Sequence, residues 1–198
     1  ETTVNTLSPN IFIASVRDNV IATKDTISSR LGDSDFVVID SRTDEEYNGW
    51  QLYNEARGGH IPGAVQIPYE WFYISDNNTV LNYDDLNWLF ESRGITSDKE
   101  VTAYCTAGIR SGFVYFALRL LGYQNCSNYA NSIKEWAADS SLDMEKLPHY
   151  EKVVNAAWVK ELIDGKNPAT YSGNGYVILE ARYVTAKTTG PTTGYIPG

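Results

Sequence analysis

The sequence predicts an α/β fold, built on a parallel or mostly parallel sheet with helices on its faces. Short apolar runs typical of buried strands alternate with segments of helical spacing, and this alternation yields such a sheet. Two of the runs, residues 37–39 and 101–104, are followed by the reactive side chains Asp40 and Cys105. Ligands bind at the carboxyl ends of the strands in open α/β sheets, so the sequence places a candidate site at this edge.

The other elements follow from the same kind of pattern. Residues 83–94, "YDDLNWLFESRG", combine helical spacing of apolar residues with acidic residues early and glycine at the end, which predicts a helix. Residues 113–121 are apolar on most faces and are followed by Gly122, which predicts a buried helix. A further strand is predicted over residues 126–129.

Composition and charge argue against several classes of function. The chain has 198 residues, a net charge of -9 and a pI near 4.7, which disfavours nucleic acid or an anionic membrane as the main partner. No apolar run approaches the ~20 residues that span a bilayer, and the first residues given do not show the charged-then-apolar pattern expected of a secretion leader. A first residue other than methionine, many Asn, Ser, Thr and Tyr residues and few Lys residues favour a trimmed, exported polypeptide, periplasmic or extracellular rather than cytoplasmic.

Two pairs of motifs recur along the chain. "VVIDSR" at residues 37–42 returns as "VILEAR" at residues 177–182, and "GHIPG" at residues 59–63 returns as "GYIPG" at residues 194–198. The offsets are 140 residues (177 minus 37) and 135 residues (194 minus 59), so the same order of motifs appears twice at nearly the same spacing. The repetition predicts two copies of one structural unit.

The predicted domain boundary lies in the polar segment at residues 139–152. Residues 1–148 form the predicted complete domain that carries the active cysteine, and residues 149–198 form the N-terminal part of a second repeat, apparently truncated. Residues 7–19 and 154–166 are each expected to be the opening helix of a unit. A half-domain is not expected to be stable alone, so the natural protein is expected to continue, or the last segment to dock on the first domain.

Cys105 lies where a predicted strand gives way to a helix. A helix N-terminus presents unpaired N–H groups and about half a positive charge, which favours an anion in the loop. Thr106, Ala107 and Gly108 are small enough for the loop to wrap around the sulfur, and Gly108 can take a positive φ. The pKa of Cys105 is therefore expected below the ~8.5 of a free thiol. Arg110 adds a planar guanidinium suited to an oxyanion in front of the sulfur.

Several neighbouring residues have a structural alternative. A lone cysteine is most often a small buried hydrophobe, and this remains the interpretation for Cys126, which begins a strand without such a loop. Asp40 and Arg42 are expected to form a buried pair that supports the loop entrance, with assistance to an anion as the alternative role of Arg42. His60 is expected to be a hydrogen-bonded turn residue. The cysteines and histidines show no metal-ligand spacing, so the sequence predicts no metal and no cofactor.

Four motifs together carry a family resemblance: "VVIDSR", "GGHIPGAVQIP", "YCTAGIRS" and "LGYQNCSNYANSIKEW". In order and spacing, residues 8–138 resemble the rhodanese superfamily of sulfurtransferases, and the partial repeat implies a tandem architecture. The resemblance implies that Cys105 takes a sulfane sulfur from a small anionic donor such as thiosulfate. It further implies that the sulfur is held as a persulfide and passed to a thiophilic acceptor such as cyanide. The residues implied to bind the substrate are Thr106, Ala107, Gly108, Ile109, Arg110 and Ser111.

The length of the loop between Cys105 and Arg110 distinguishes sulfur transfer from the most similar alternative, a phosphatase or arsenate reductase activity. Members of the same fold that resemble protein phosphatases or arsenate reductases have one residue more between cysteine and arginine, whereas residues 106–109 are only four. The shorter loop favours sulfur over a tetrahedral oxyanion. Tandem members of the superfamily often carry the cysteine in the C-terminal unit, so its place here implies a different arrangement and a possible further repeat. Two alternatives stay open: a non-catalytic sulfur carrier, and a structural module in which Cys105 is inert.

Overall fold

The structure is a computed structural model. It divides between Val153 and Val154 into two compact units, which are described separately below. The residues that the structure describes are 18–74, 79–168, 171 and 173–179.

Among the described residues of the first unit, six strands form the sheet structure. They are β1 (Phe36–Asp40), β2 (Val65–Gln66), β3 (Tyr73–Ile74), β4 (Thr79–Val80), β5 (Glu100–Tyr104) and β6 (Cys126–Asn128). The main sheet is parallel throughout and has the strand order β2-β1-β5-β6, while β3 and β4 form a small antiparallel pair. The parallel α/β fold is thus confirmed, with strands at the predicted positions.

Helices connect and cover these strands. They are α1 (Lys24–Ser28), α2 (Asp44–Asn48), α3 (Tyr83–Glu91), α4 (Ile109–Leu120), α5 (Ser132–Ala138) and, in the second unit, α6 (Ala156–Ile163). Short 3-10 helices occupy Asp18–Val20, Tyr69–Phe72 and Tyr150–Lys152. Side chains of Thr23, Thr43 and Asn82 cap the N-termini of α1, α2 and α3 by accepting backbone hydrogen bonds, which satisfies donors that a helix cannot pair itself.

The main sheet is buried on both faces. Successive residues of a strand point to opposite faces, so Ile39 and Ala103 belong to one hydrophobic cluster, formed with α3 and α4. Val38 and Tyr104 belong to a second cluster, formed with α1 and α5. Parallel sheets need such double cover, and it explains why the strands appear in the sequence as continuous apolar runs.

The helix after Cys105 differs from its prediction. The sequence predicted a helix buried on most faces, whereas α4 buries one stripe that includes Ser111, Val114 and Leu118. Phe116 and Leu120 lie on the opposite side and are more than half exposed, at 51% and 57%. Because α4 packs on one face of a flat layer, only residues at helical spacing can reach the sheet.

Strand register brings the candidate site together. Asp40 is the partner of Tyr104 across β1 and β5, so the residues that follow both strands emerge side by side. The backbone N–H of Ser41 donates to the carbonyl oxygen of Tyr104 at 3.0 Å, and the Ser41 hydroxyl donates to the same oxygen at 2.9 Å. These bonds fix the backbone immediately before Cys105.

The described part of the second unit is centred on α6. The side chain of Asn155 caps this helix by accepting from the N–H of Trp158 at 2.9 Å. The ring of Tyr171 lies edge-on to those of Trp158 and Tyr176, and the Tyr176 hydroxyl donates to the carbonyl oxygen of Leu162 at 3.2 Å. The unit therefore contains one amphipathic helix with an aromatic cluster beside it.

Most of the sequence expectations about the repeat lie outside the described residues. The first opening helix, predicted over residues 7–19, falls almost entirely among residues that the structure does not describe. The same holds for residues 180–182 of the repeated "VILEAR" motif and for the repeated "GYIPG" motif, while residues 177–179 form no strand. Within the described part of the chain, no helix is long and apolar enough to cross a membrane.

Candidate active site

The loop between β5 and α4 turns sharply at Gly108. Gly108 has φ +86° and takes the N-cap position of α4 without a capping side chain. A Cβ atom at this position would lie 2.5 Å from the carbonyl oxygen of Ala130, in addition to the strain of a positive φ. The expected positive φ is confirmed, and the close approach of the backbone around Ala130 gives glycine a second reason to be there.

The sulfur of Cys105 faces hydrogen-bond donors from this loop. The N–H of Gly108 donates to Sγ at 3.1 Å. Burial opposes ionisation of the thiol, but the backbone N–H and hydroxyl of Ser111, with the N–H groups of Ala107 and Gly108, outweigh it and lower the pKa of Cys105. The balance follows from local donors that favour the charged form over the neutral one.

Ser132, the first residue of α5, supports the backbone of Cys105. The N–H of Cys105 donates to Oγ of Ser132 at 3.1 Å, and the Ser132 hydroxyl donates to the carbonyl oxygen of Tyr129 at 2.8 Å. Ser132 has φ +56°, a conformation that a non-glycine residue rarely adopts. Its Oγ lies 3.9 Å from Sγ of Cys105, so this strained residue is part of the immediate surroundings of the sulfur.

A second polar contact ties the loop to β6. The Ser111 hydroxyl donates to Oδ1 of Asn128 at 2.7 Å, and Nδ2 of Asn128 donates to the carbonyl oxygen of Gly108 at 3.2 Å. The Ser111 hydroxyl also contributes to the lowered pKa of Cys105, after the larger contribution of the Ser111 backbone N–H. Asn128 thereby couples the orientation of Ser111 to the position of the loop.

Arg110 is bound by a buried glutamate. Its two terminal nitrogens donate to the two carboxylate oxygens of Glu46 at 2.7 and 2.8 Å, and the Thr106 hydroxyl donates to Oε1 of Glu46 at 2.7 Å. Burial of Glu46 opposes ionisation, but these bonds prevail and lower its pKa. The sequence predicted that Arg110 faces an oxyanion in front of the sulfur; in the structure its guanidinium is engaged by a carboxylate of the protein in a bidentate pair.

Asp40 and Arg42 form the expected buried pair. The Arg42 guanidinium donates to both oxygens of Asp40, the shortest bond being 2.6 Å, and to the carbonyl oxygen of Gly59 at 2.7 Å. The Tyr104 hydroxyl also donates to Asp40, at 2.6 Å, and accepts from the N–H of Ile61 at 3.1 Å. The pair thus anchors the residue that precedes Cys105, and neither of its side chains lines the cavity at the sulfur.

A cavity of about 390 Å³ opens over the loop. Cys105 is only 2% exposed, and it is one of the residues that line this cavity. The volume falls within the ~300–1,000 Å³ of small-molecule sites. The lining residues are Thr43, Tyr53, Tyr69, Glu70, Cys105, Thr106, Ala107, Ile109, Arg110 and Lys134.

A family model described as "Rhodanese-like domain" matches residues 23–139, which is more than half of the chain. The chain belongs to the rhodanese-like family. The matched residues include both buried pairs, the Cys105 loop and α5.

Known proteins and structures agree with this assignment. The chain is 38% identical to a thiosulfate sulfurtransferase of Azotobacter vinelandii over 123 residues, which are 62% of this chain and 44% of that protein. It is 36% identical over 107 residues to the sulfur carrier protein TtuD of Thermus thermophilus, covering 50% of this chain and 37% of the relative. This chain therefore spans less than half the length of these relatives.

A solved structure shows the same fold. It is a complex of a variant of EanB with ergothioneine covalently linked with a persulfide cysteine. It superposes with a TM-score of 0.65 at 27% identity, over 81% of this chain and 35% of that one. The likeness extends the rhodanese-like assignment from the sequence to the course of the backbone.

The structure brings together most of the residues predicted for the rhodanese-like site. Cys105, Thr106, Ala107, Ile109 and Arg110 line the cavity. Gly108 and Ser111 are not among the lining residues, but they donate to the sulfur of Cys105. His60 was expected to be a turn residue, but its backbone forms an isolated antiparallel bridge with Glu145. Its Nδ1 lies 2.7 Å from the carbonyl oxygen of Tyr47, so the ring is hydrogen-bonded as expected.

Three important residues were missed from the sequence. Glu46 had a recognisable signal, because Thr43 and Glu46 form a capping box at the start of α2. Ser132 belongs to the quoted "YANS" segment, but nothing in that segment indicates its contact with Cys105. Lys134 follows it on α5 and had no signal, since lysine on a short helix is an ordinary surface residue.

Proposed function

We propose that this chain is the sulfur-transferring domain of a sulfurtransferase, with Cys105 as the nucleophile. The observation that carries the proposal is a thiol of lowered pKa at the wall of a cavity, with N–H donors directed at its sulfur. The relatives named thiosulfate sulfurtransferase support the donor class. The persulfide cysteine of the EanB complex supports a persulfide as the intermediate.

The transfer proceeds as two balanced displacements. The Cys105 thiolate attacks the outer sulfur of thiosulfate, the S–S bond breaks, and sulfite leaves with the bonding electron pair. Cys105 then carries a persulfide anion, which the loop N–H groups stabilise as they stabilise the thiolate. Cyanide, or another thiophile, attacks the outer sulfur of the persulfide and returns the thiolate. Neither step needs a metal, an external oxidant or a general base, once the thiol is ionised.

Mass spectrometry after thiosulfate treatment tests the first step. We expect a gain of about 32 Da on the peptide that contains Cys105, and its loss when cyanide is added with formation of thiocyanate. Cys105→Ser abolishes both signals. Cys126→Ser is the matched control and retains them, because Cys126 lies outside the loop. An adduct found on Cys126 instead of Cys105 contradicts the proposal.

A sulfur carrier is the second candidate function. The observation that favours it is the similarity to the sulfur carrier protein TtuD. A carrier loads one sulfur on Cys105 but does not turn over with a small acceptor. Stoichiometric loading without repeated thiocyanate formation would therefore support the carrier function over the enzyme, with the same persulfide chemistry in both.

We also propose that residues 149–198 begin a second rhodanese-like repeat. The support is the recurrence of two motifs in the same order, together with relatives that are more than twice as long as the matched region. Proteolysis of a longer form of the protein tests this domain boundary. Cleavage concentrated at residues 139–152 fits two units, whereas cleavage within residues 23–139 contradicts them.

A further inference from the structure

Two cations line the cavity at Cys105, and only one of them is neutralised by the protein. Arg110 donates both of its terminal nitrogens to Glu46, and its side chain is 16% exposed. A bidentate pair of this kind cancels most of the charge that a ligand would otherwise meet. The arrangement makes Arg110 a residue that holds the loop to α2, and leaves little of its charge for an incoming anion.

Lys134 is the other cation. It follows Ser132 and Ile133 at the start of α5, and it is exposed. Among the residues that the structure describes, its ammonium group has no hydrogen-bond or ion-pair partner, yet the side chain contributes to the wall of the cavity that contains the sulfur. A strongly hydrated ammonium on a flexible stem can move onto a ligand without breaking an existing bond.

The other charges around the cavity limit what can bind. Glu70, on the 3-10 helix Tyr69–Phe72, lines the same cavity and is exposed. The charged groups in the lining are Glu70, the paired Arg110, Lys134 and the thiolate of Cys105. The other described lining residues are uncharged. An anionic donor must approach a thiolate of like charge, so a nearby unneutralised cation has a direct effect on its binding.

We propose that Lys134 is a specificity residue that binds the anionic group of the sulfur donor. This inference rests on the proposed function. The donor class is a small sulfane compound with an anionic group next to the transferable sulfur, as in thiosulfate and organic thiosulfonates. Lys134 holds that group while the outer sulfur meets the thiolate, and Arg110 keeps the loop in shape without binding the donor directly.

Alkylation by two matched reagents tests the role of Lys134 without relying on sulfur transfer. Iodoacetate is anionic and iodoacetamide is its neutral counterpart, and both modify the thiolate of Cys105. In Lys134→Gln we expect the iodoacetate rate to fall on the order of tenfold, because local attraction is lost. The iodoacetamide rate stays within about twofold, because the pKa of Cys105 depends on the loop donors. Modification is followed on the Cys105 peptide by mass spectrometry.

Three further variants make the test specific. Lys152→Gln removes the same charge from an exposed residue that does not line the cavity, and is expected to leave both rates unchanged. Lys134→Arg is expected to retain the wild-type ratio of iodoacetate to iodoacetamide rates. Glu70→Gln removes the opposing charge, and is expected to raise the iodoacetate rate by about twofold. High salt should reduce the differences between these variants.

Steady-state kinetics with thiosulfate complete the test. In Lys134→Gln we expect KM to rise on the order of tenfold with kcat little changed, the pattern of lost ground-state binding. If Lys134→Gln behaves like Lys152→Gln with both reagents, the role of Lys134 is overturned, whatever the enzyme does. If the wild type takes up no sulfur but its iodoacetate rate still depends on Lys134, anion recognition stands and the proposed function fails.

Discussion

The two cysteines of this domain are both buried, but their surroundings shift the pKa of the thiol in opposite directions. Cys105 is 2% exposed and Cys126 is 6% exposed, and both are free thiols. Burial raises the pKa of Cys126, with only a partial offset from Arg119, whereas donors around Cys105 reverse the effect of burial and lower its pKa. Burial alone therefore does not set the pKa of a thiol; the nearby N–H and O–H groups decide the direction of the shift.

The positions of Cys105 and Cys126 relative to the sheet explain why their pKa values shift in opposite directions. Cys105 comes after the last residue of β5, where the backbone leaves the sheet and the N–H groups of the next helix become available. Cys126 is the first residue of β6 and is paired in register with Val101, so the backbone around it is engaged in the sheet. Its thiol lies 3.5 Å from the carbonyl oxygen of Tyr123, an acceptor that favours the protonated form.

The largest expected effect comes from removing the carboxylate that holds the Cys105 loop. Glu46→Gln leaves Arg110 without its counter-charge and weakens the contact with Thr106. Breaking a buried ion pair from one side costs about 3 kcal/mol or more, and the partial exposure of Arg110 favours the lower value. We expect this loss in the free energy of unfolding measured with urea.

A matched control for this variant is Asp44→Asn. Asp44 lies in the same helix and is exposed, with a single side-chain hydrogen bond from Gln66 recorded at 2.9 Å. Its substitution is expected to change the free energy of unfolding by less than about 0.5 kcal/mol. Equal losses for Glu46→Gln and Asp44→Asn would show that the pair with Arg110 does not hold the loop.

The next effect is on ionisation of Cys105. Ser111→Ala removes a hydroxyl that favours the thiolate, so the pKa of Cys105 is expected to rise. The thiolate is the reactive form, so the labelling rate increases with pH through this pKa. A higher pKa therefore moves the profile to higher pH and slows labelling at pH 7. The measurement is the pH profile of iodoacetamide labelling.

Ser127→Ala is the control for Ser111→Ala, because it removes a hydroxyl next to the other cysteine, Cys126. Ser127 follows Cys126 on β6, and its hydroxyl lies 3.1 Å from that of Thr102. Because Ser127 makes no contribution to the sulfur of Cys105, the pH profile of Cys105 is expected to match that of the wild type. A shift in both variants would mean that packing, rather than the Ser111 hydroxyl, sets the pKa.

The smallest effect is expected at Cys126 itself. Cys126→Ala removes a small buried group from the hydrophobic cluster of α3 and α4, at a cost of about 1 kcal/mol in the free energy of unfolding. The labelling rate of Cys105 is expected to remain unchanged, because the two thiols share no partner. Slower labelling of Cys105 in this variant would show that the two cysteines are coupled, although their side chains share no partner.

The sequence predicted the features that depend on neighbours along the chain. The strands that precede Cys105 and follow residue 125 were found because buried parallel strands are short apolar runs, and Gly108 was singled out because a tight loop needs a positive φ. The Asp40–Arg42 pair was predicted as well, since the two residues are close in sequence and buried together.

Features that depend on distant segments were not predicted. Glu46 and Arg110 are 64 residues apart, so no local pattern shows that their charges cancel. The contact of Ser132 with Cys105 spans 27 residues and needs a strained backbone that serine seldom adopts. The exposed side of α4 was missed for a related reason. Most positions of this helix are apolar, so the sequence does not show that a residue such as Phe116 faces away from the sheet.

The close packing of Gly108 against the backbone of Ala130 has a consequence for engineering this scaffold. The 2.5 Å approach that an added Cβ would make shows that the loop has no free space on that side. A longer loop, built to surround a tetrahedral ester, would have to extend away from Ala130, toward the cavity that the loop already lines. Enlarging the loop in this scaffold would therefore reduce the space that is open to a ligand.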